Sequence, residues 1–173
     1  MTDVMLDLET LGTAPGCVIL SIGAVAFYPR QQKLGKEFYV VVNQASCESY
    51  GLSVTPETQA WWARQSERAR SVLMLAQNGL GVDLQDALDQ FTAYLSGLES
   101  PVRVWGNGSD FDQPILAAAY AACGEDVPWK FWDNRCYRTL KSIVPGPPLK
   151  REGTYHNALD DAKSQALHAM KLL

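Results

Sequence analysis

Cysteine is sparse and scattered. Cys17, Cys47, Cys123 and Cys136 include no CxxC pair, and at least the first three have no histidine close by. That removes the usual spacing of a structural zinc site and leaves free, buried thiols in a reducing compartment as the expected state. Positive charge is also short: 15 Lys and Arg stand against 19 Asp and Glu, a net charge of −4. The balance argues against a protein that holds nucleic acid by bulk positive charge and leaves a local basic groove open. No basic-then-apolar leader opens the sequence, and the longest apolar run, residues 17–27, is interrupted by Ser21 and Gly23 and is too short to span a bilayer. A soluble, cytoplasmic protein without a membrane partner is expected. Internal repeats and low-complexity tracts are missing too. What is present is a chain of 173 residues with 47% hydrophobic content, enough for one compact domain over residues 1–173.

The pattern begins with strands. Residues 3–9, 17–28 and 36–43 read as three, joined by short Gly- and Pro-containing loops that suit antiparallel neighbours. The second, CVILSIGAVAF, is apolar on both faces and is expected to be central. Helical periods follow. Thr55-Pro56-Glu57 starts one helix, Ser66 a second, and Asp83 a third whose Leu84, Leu88, Phe91 and Leu95 share one face. Val102 to Trp105 reads as a strand that passes through GNGSD into an Ala-rich helix ended by Gly124. Residues 133–144 read as a further helix, 145–156 as a Pro- and Gly-rich loop, and 157–173 as a closing helix. Three strands followed by strand–helix units imply an α/β fold, a mixed sheet with helices on its faces.

Within the first strand, MLDLET places Asp7 and Glu9 on the same side of an extended chain, their α-carbons roughly 6.5–7 Å apart. Two carboxylates that close need a cation or a basic partner if the site is buried. A solvated outer face of an edge strand would carry the same alternation, so other segments must decide. In SDFDQPIL, Asp112 stands three and four residues ahead of Ile115 and Leu116 and faces the sheet with them, whereas Asp110 suits a helix cap. In YHNALDDAKSQA, Asn157 is the expected N-cap, Asp160 the carboxylate that satisfies free amides of the first turn, and Asp161 the inward acid. His156 precedes that helix on a loop, and His168 within it reads as an ordinary structural residue. Asp7, Glu9, Asp112 and Asp161 can therefore meet in one patch with His156 at its rim. Such a cluster repels itself without a hard divalent cation, Mg²⁺ or Mn²⁺ rather than zinc.

These motifs resemble the DEDDh class of 3′–5′ exonucleases, the DnaQ-like group on the ribonuclease H-like fold: DLET, then NGSDFD, then His156 with Asp161 five positions on. The resemblance covers nearly the whole chain, and TQAWWARQS between the first two motifs is similar to the small phage and bacterial branch of exodeoxyribonuclease VIII-like or exoribonuclease proteins. It implies a five-stranded mixed sheet with its first three strands antiparallel and helices on both faces. It further implies two Mg²⁺ ions, replaceable by Mn²⁺, held by Asp7, Glu9, Asp112 and Asp161, with His156 taking a proton from the attacking water. The implied product is a nucleoside 5′-monophosphate released from a 3′ end of DNA or RNA, single-stranded or overhanging. Thr10 and Leu11 match the position that seats the terminal nucleoside; relatives often dimerise, which leaves a homodimer open.

Lys130, Arg135, Arg138, Lys141, Lys150 and Arg151 lie against a single acid, Asp133, over residues 130–151, a basic block that leads to His156 and suits a phosphodiester chain. Adjacent helical positions point about 100° apart, so at least one of Trp61 and Trp62 belongs to the core. Three other readings compete: a nuclease that cuts internally, a catalytically minor binding or proofreading partner of a polymerase, and a purely structural α/β domain. The His156–Asp161 spacing favours the exonuclease over the first, the filled acid positions oppose the second, and the third leaves the clustered acids unexplained.

Overall fold

The computed structural model describes residues 1–173. Its sheet contains β1 (Thr2–Thr10), β2 (Ile19–Tyr28), β3 (Lys33–Val41), β4 (Val102–Gly106) and β5 (Asn134–Cys136) in the spatial order β3-β2-β1-β4-β5. β1 pairs antiparallel with β2, which pairs antiparallel with β3; β1–β4 and β4–β5 are parallel. β1 is thus the middle strand, and the solvated-edge explanation for its two acids fails. The helices are α1 (Gln44–Ser49), α2 (Pro56–Trp62), α3 (Glu67–Gln77), α4 (Leu84–Ser96), α5 (Asp112–Ala122), α6 (Tyr137–Ile143) and α7 (Ala158–Leu172).

The pleat sorts the sheet's side chains onto two cores. Val4, Leu6, Leu8, Leu20, Ile22 and Ala24 join Leu88 and Phe91 of α4 and Leu116 and Tyr120 of α5 in the larger one. Met5, Val25 and Phe27 point the other way, onto Tyr137 of α6 and Ala162, Ala166 and Ala169 of α7. The alanine stripe lets α7 lie close on the sheet, and one glycine permits the closest approach. Gly23 sits opposite Asp7 in the β1–β2 ladder, and a Cβ there would lie 2.2 Å from the carbonyl carbon of Ala158. The first turn of α7 therefore rests on β2 directly beside the acids of β1.

Several expected boundaries move. β2 begins at Ile19, because Cys17 bridges to Ser53 instead. The segment 133–144 is β5 followed by α6, since three residues are too few to show alternation and pairing with β4 settles their state. α1 has no expected counterpart; Asn43 caps it, accepting from Ser46 N at 3.2 Å. Asp83 occupies the N-cap of α4 without a side-chain bond, and the Ser46 hydroxyl accepts from Leu84 N at 2.9 Å in its place. Asp110 is no cap either: Phe111 holds that position in α5, and Asp110 is exposed. No helix is long and apolar enough to cross a membrane.

Candidate active site

The neighbouring parallel strands β1 and β4 end at the same edge of the sheet, the side on which α/β proteins place ligands. There a cleft of about 480 Å³ is bordered by Asp7, Glu9, Thr10, Asn107, His156 and Asp161, among others. Three segments distant in sequence supply these groups.

Each acid is held by a different device. Asp7 opens onto the cleft, and its Oδ1 accepts from Gln165 Nε2 of α7 at 2.8 Å. Asp112, almost completely buried, accepts from Leu8 N at 3.2 Å through Oδ1 and from Asn107 N at 2.8 Å through Oδ2, so the first residue of α5 clasps the ends of both strands. Gly106 leaves room for this clasp: a Cβ there would lie 2.3 Å from Gln113 Oε1 and 2.9 Å from Asp112 Oδ2. Gln113 Nε2 in turn donates to Val104 O and Arg135 O, tying α5 to β4 and β5. Asn157 caps α7 as expected, accepting from Asp160 N at 3.1 Å. Asp160 does not finish its own helix's first turn; its Oδ2 accepts from Thr154 N in the preceding loop at 2.7 Å. Asp161 turns inward, its Oδ2 accepting from His156 N at 3.0 Å and its Oδ1 paired with Arg151 Nη1. Glu9 faces this group, with ligand atoms of Glu9, His156 and Asp161 within 4.8 Å of one another.

His156 has φ +60, a left-handed conformation in which histidine is tolerated better than most residues. Its ring meets Trp61 edge-on at 4.8 Å between centroids and lies 6.3 Å from Trp62. Of that pair Trp62 is core, its Nε1 donating to Thr10 O at 2.8 Å, and Trp61 is 36% exposed. Thr10 borders the cleft, its hydroxyl donating to Gly12 O at 2.7 Å. Leu11 does not. The β1–β2 register shifts between Glu9 and Thr10, the strand ends, and Leu11 is fully buried in the larger core, its backbone bonded to Val18 and Thr55. Leu8, Trp61, Trp62 and Phe111 provide the cleft's apolar walls, and Leu11, expected beside the terminal nucleoside, is not among them. Asp7, Glu9, Asp161 and His156 border the cleft together, and Asp112 lies buried next to them.

Sequence reasoning missed Gln165 and Asn107, and it placed Arg151 in a basic block facing the nucleic acid without foreseeing its pairing with Asp161. Gln165 was legible, four residues after Asp161 on the same helical face. Asn107 acts through its backbone N–H, which no residue type reveals. His168 proves structural, bonding Tyr137 OH through Nδ1 and Pro147 O through Nε2, each at 2.7 Å.

The electrostatics describe a site short of positive charge. Burial pushes Asp7 well above the usual carboxylate range, and Asp112, Glu9 and Asp161 push it further. Glu9 rises from 4.5 to about 8, by burial first and then by repulsion from Asp161 and Asp112, with Arg151 pulling the other way. Asp112 rises to about 6 by burial, against the lowering effect of the Asn107 and Leu8 N–H groups. Asp161 is raised by burial as well, opposed by Arg151. Four oxygen donors that resist ionising together fit a hard divalent cation, which stabilises their charged forms.

A test follows from the sign of these shifts. A carboxyl whose folded-state pKa is raised contributes stability that is complete below its unfolded pKa and is lost as pH climbs through the folded value. In EDTA, thermal stability should therefore fall as pH rises from about 4.5 to about 8. Millimolar Mg²⁺ or Mn²⁺ should raise Tm much more at pH 8 than at pH 6, because protons compete for the same oxygens. Differential scanning calorimetry checks both; a metal-induced Tm shift independent of pH would contradict the coupling.

The five-stranded mixed sheet, with α5 and α7 bringing acids to β1, defines an α/β protein with a carboxylate-rich cleft at one edge of its sheet. Two solved structures share the architecture: the nuclease domain of 3′hExo, a DEDDh family member, bound to rAMP (TM-score 0.64, 12% identity, 98% of this chain and 90% of that one), and exonuclease I of E. coli in complex with a dT13 oligonucleotide (TM-score 0.67, 15% identity, 98% of this chain and 40% of that one). An exodeoxyribonuclease of Enterobacteria phage T4 is 25% identical over 162 residues, covering 80% of this chain and 70% of its own. Residues 2–173 match the 3′-5′ exoribonuclease Rv2179c-like domain, and the chain belongs to that family of 3′–5′ exonucleases.

Proposed function

We propose that residues 1–173 act as a single exonuclease domain that releases nucleoside 5′-monophosphates from the 3′ end of a single-stranded or overhanging nucleic acid. The observation that carries this reading is the convergence of Asp7, Glu9 and Asp161 on one cleft, with the His156 ring beside Glu9 and Asp161 and Asp112 buried behind them against Leu8 N and Asn107 N. Asp7, Glu9, Asp112 and Asp161 would hold two Mg²⁺ ions, or Mn²⁺ in their place, which supply Lewis-acid activation of the attacking water and charge stabilisation of the departing oxygen.

The chain's own residues do the rest. His156, oriented by its N–H bond to Asp161 and braced by Trp61, takes a proton from the attacking water. Gln165 holds one oxygen of Asp7, and Leu8 N and Asn107 N hold Asp112, so neither carboxylate turns away from the cleft. Leu8, Trp61, Trp62 and Phe111 line the space for the terminal nucleoside, with Thr10 at its border; a volume of about 480 Å³ lies within the range of small-ligand pockets.

Incubation with 3′-labelled oligonucleotides should release labelled mononucleotide in Mg²⁺ and none in EDTA. Absence of metal-dependent mononucleotide release, or internal cutting in its place, would defeat the reading. Initial rates on matched DNA and RNA 3′ overhangs rank the two substrates.

A further inference from the structure

Arg151 is the only Lys or Arg among the residues that border the cleft, and it is spent on an acid. Its Nη1 pairs with Asp161 Oδ1. The other oxygen of Asp161 accepts from His156 N, so Oδ1 is the one oxygen of this acid held by a cation. A divalent ion bound through Asp161 must compete with the guanidinium for that oxygen. We propose that Arg151 is an exchangeable cation: its guanidinium neutralises Asp161 until a divalent ion takes Oδ1, and then turns to grip a phosphate of the nucleic acid strand. The inference rests on the metal-dependent reading above.

The surroundings suit an exchange confined to the side chain. The backbone next to Arg151 is pinned to α7, with Glu152 N donating to the buried Ser164 Oγ at 3.0 Å. The Arg151 side chain is 35% exposed against 9% for Asp161, so the arginine can leave more easily than the acid. While paired with Asp161 the guanidinium also rests over the ring of the exposed Tyr155, its Cζ 5.1 Å from the ring centre, a support on the solvent side that does not involve the acid. Nearby, Lys141 Nζ reaches Asn107 Oδ1 at 3.4 Å, and its charged form is disfavoured first by burial and then by Arg138 and Arg151. Three cations that crowd one another beside the cleft are relieved by an anion, and a guanidinium fork matches phosphate oxygens. The exchange also couples the two ligands: metal frees Arg151 for the strand, so each should tighten the other.

The test uses the EDTA-stripped full chain, with circular dichroism confirming the fold of each variant. In Mn²⁺ calorimetry without nucleic acid, Arg151→Gln should bind the ion about three- to tenfold more tightly than the wild type, the loss of one half-exposed pair. In Ca²⁺, the same variant should bind a single-stranded oligonucleotide several-fold more weakly by fluorescence anisotropy. Arg151→Lys, which keeps the charge without the fork, should stay near the wild type in Mn²⁺ affinity and lose oligonucleotide affinity. Equal or weaker Mn²⁺ binding by Arg151→Gln overturns the exchange. A wild type that binds no Mn²⁺ overturns the metal reading beneath it.

Discussion

Asp7→Asn is expected to reduce exonuclease turnover by at least about 10³-fold while raising thermal stability in EDTA at pH 8. The two effects share one cause. Removing one charged ligand from a two-ion site costs several kcal/mol of transition-state stabilisation, and each 1.4 kcal/mol is tenfold in rate. Without an ion the same charge is a burden, because Asp7 is half-buried and repelled by Asp112, Glu9 and Asp161. The amide keeps the geometry: its oxygen can still accept from Gln165 Nε2, and its NH2 replaces the oxygen that faces the other acids. Asp112→Asn makes the contrast. Both Asp112 oxygens accept backbone N–H groups, so an amide nitrogen would oppose Leu8 N or Asn107 N, and that variant should lose activity and stability together. Asp110→Asn should be mild, as that residue is exposed, and Asp160→Asn nearly so, since its bond to Thr154 N survives on an amide oxygen. Steady-state rates and EDTA melting curves on these four variants decide it. Asp7→Asn turnover within tenfold of the wild type would remove Asp7 from the proposed metal site.

Replacing His156 separates ring chemistry from backbone placement. His156→Ala should lower turnover by about 10²–10⁴-fold, the loss expected for a general base. Mn²⁺ affinity should change little, because the N–H that orients Asp161 belongs to the backbone. The φ of +60 complicates alanine, which enters the left-handed region at a cost of about 1 kcal/mol, whereas glycine enters freely. His156→Gly is therefore the matched partner. If the ring supplies the chemistry, the two variants share the same rate defect and differ only in Tm. A glycine variant that recovers most of the wild-type rate would show that the position matters for loop shape, and proton transfer would have to be sought elsewhere.

The legible part of this protein was its periodicity. The three antiparallel strands, the amphipathic α4, the cap at Asn157 and the inward turn of Asp112 and Asp161 all follow from which side of a strand or helix a residue must occupy, a local property. The same rule found Trp62 or its neighbour as core, and it would have found Gln165. Local rules failed where the chain is short of a period: β5 has three residues, and α1 has six. The position that the family resemblance gave Leu11 did not hold either, because the register shifts between Glu9 and Thr10 and its side chain enters the core.

The sequence by itself determined the carriers of charge, the spacing of the motifs and, through them, the family. Only the tertiary structure decided that the acids of β1 lie in the middle of the sheet, that Gly23 lets α7 bring Asp161 beside them, and that Arg151 spends its charge on Asp161. The physical reason is range. Side-chain direction is set by the nearest few residues, whereas a carboxylate's ionisation depends on every charge and every shielding atom within several ångströms, and those come from chain segments up to 158 positions apart.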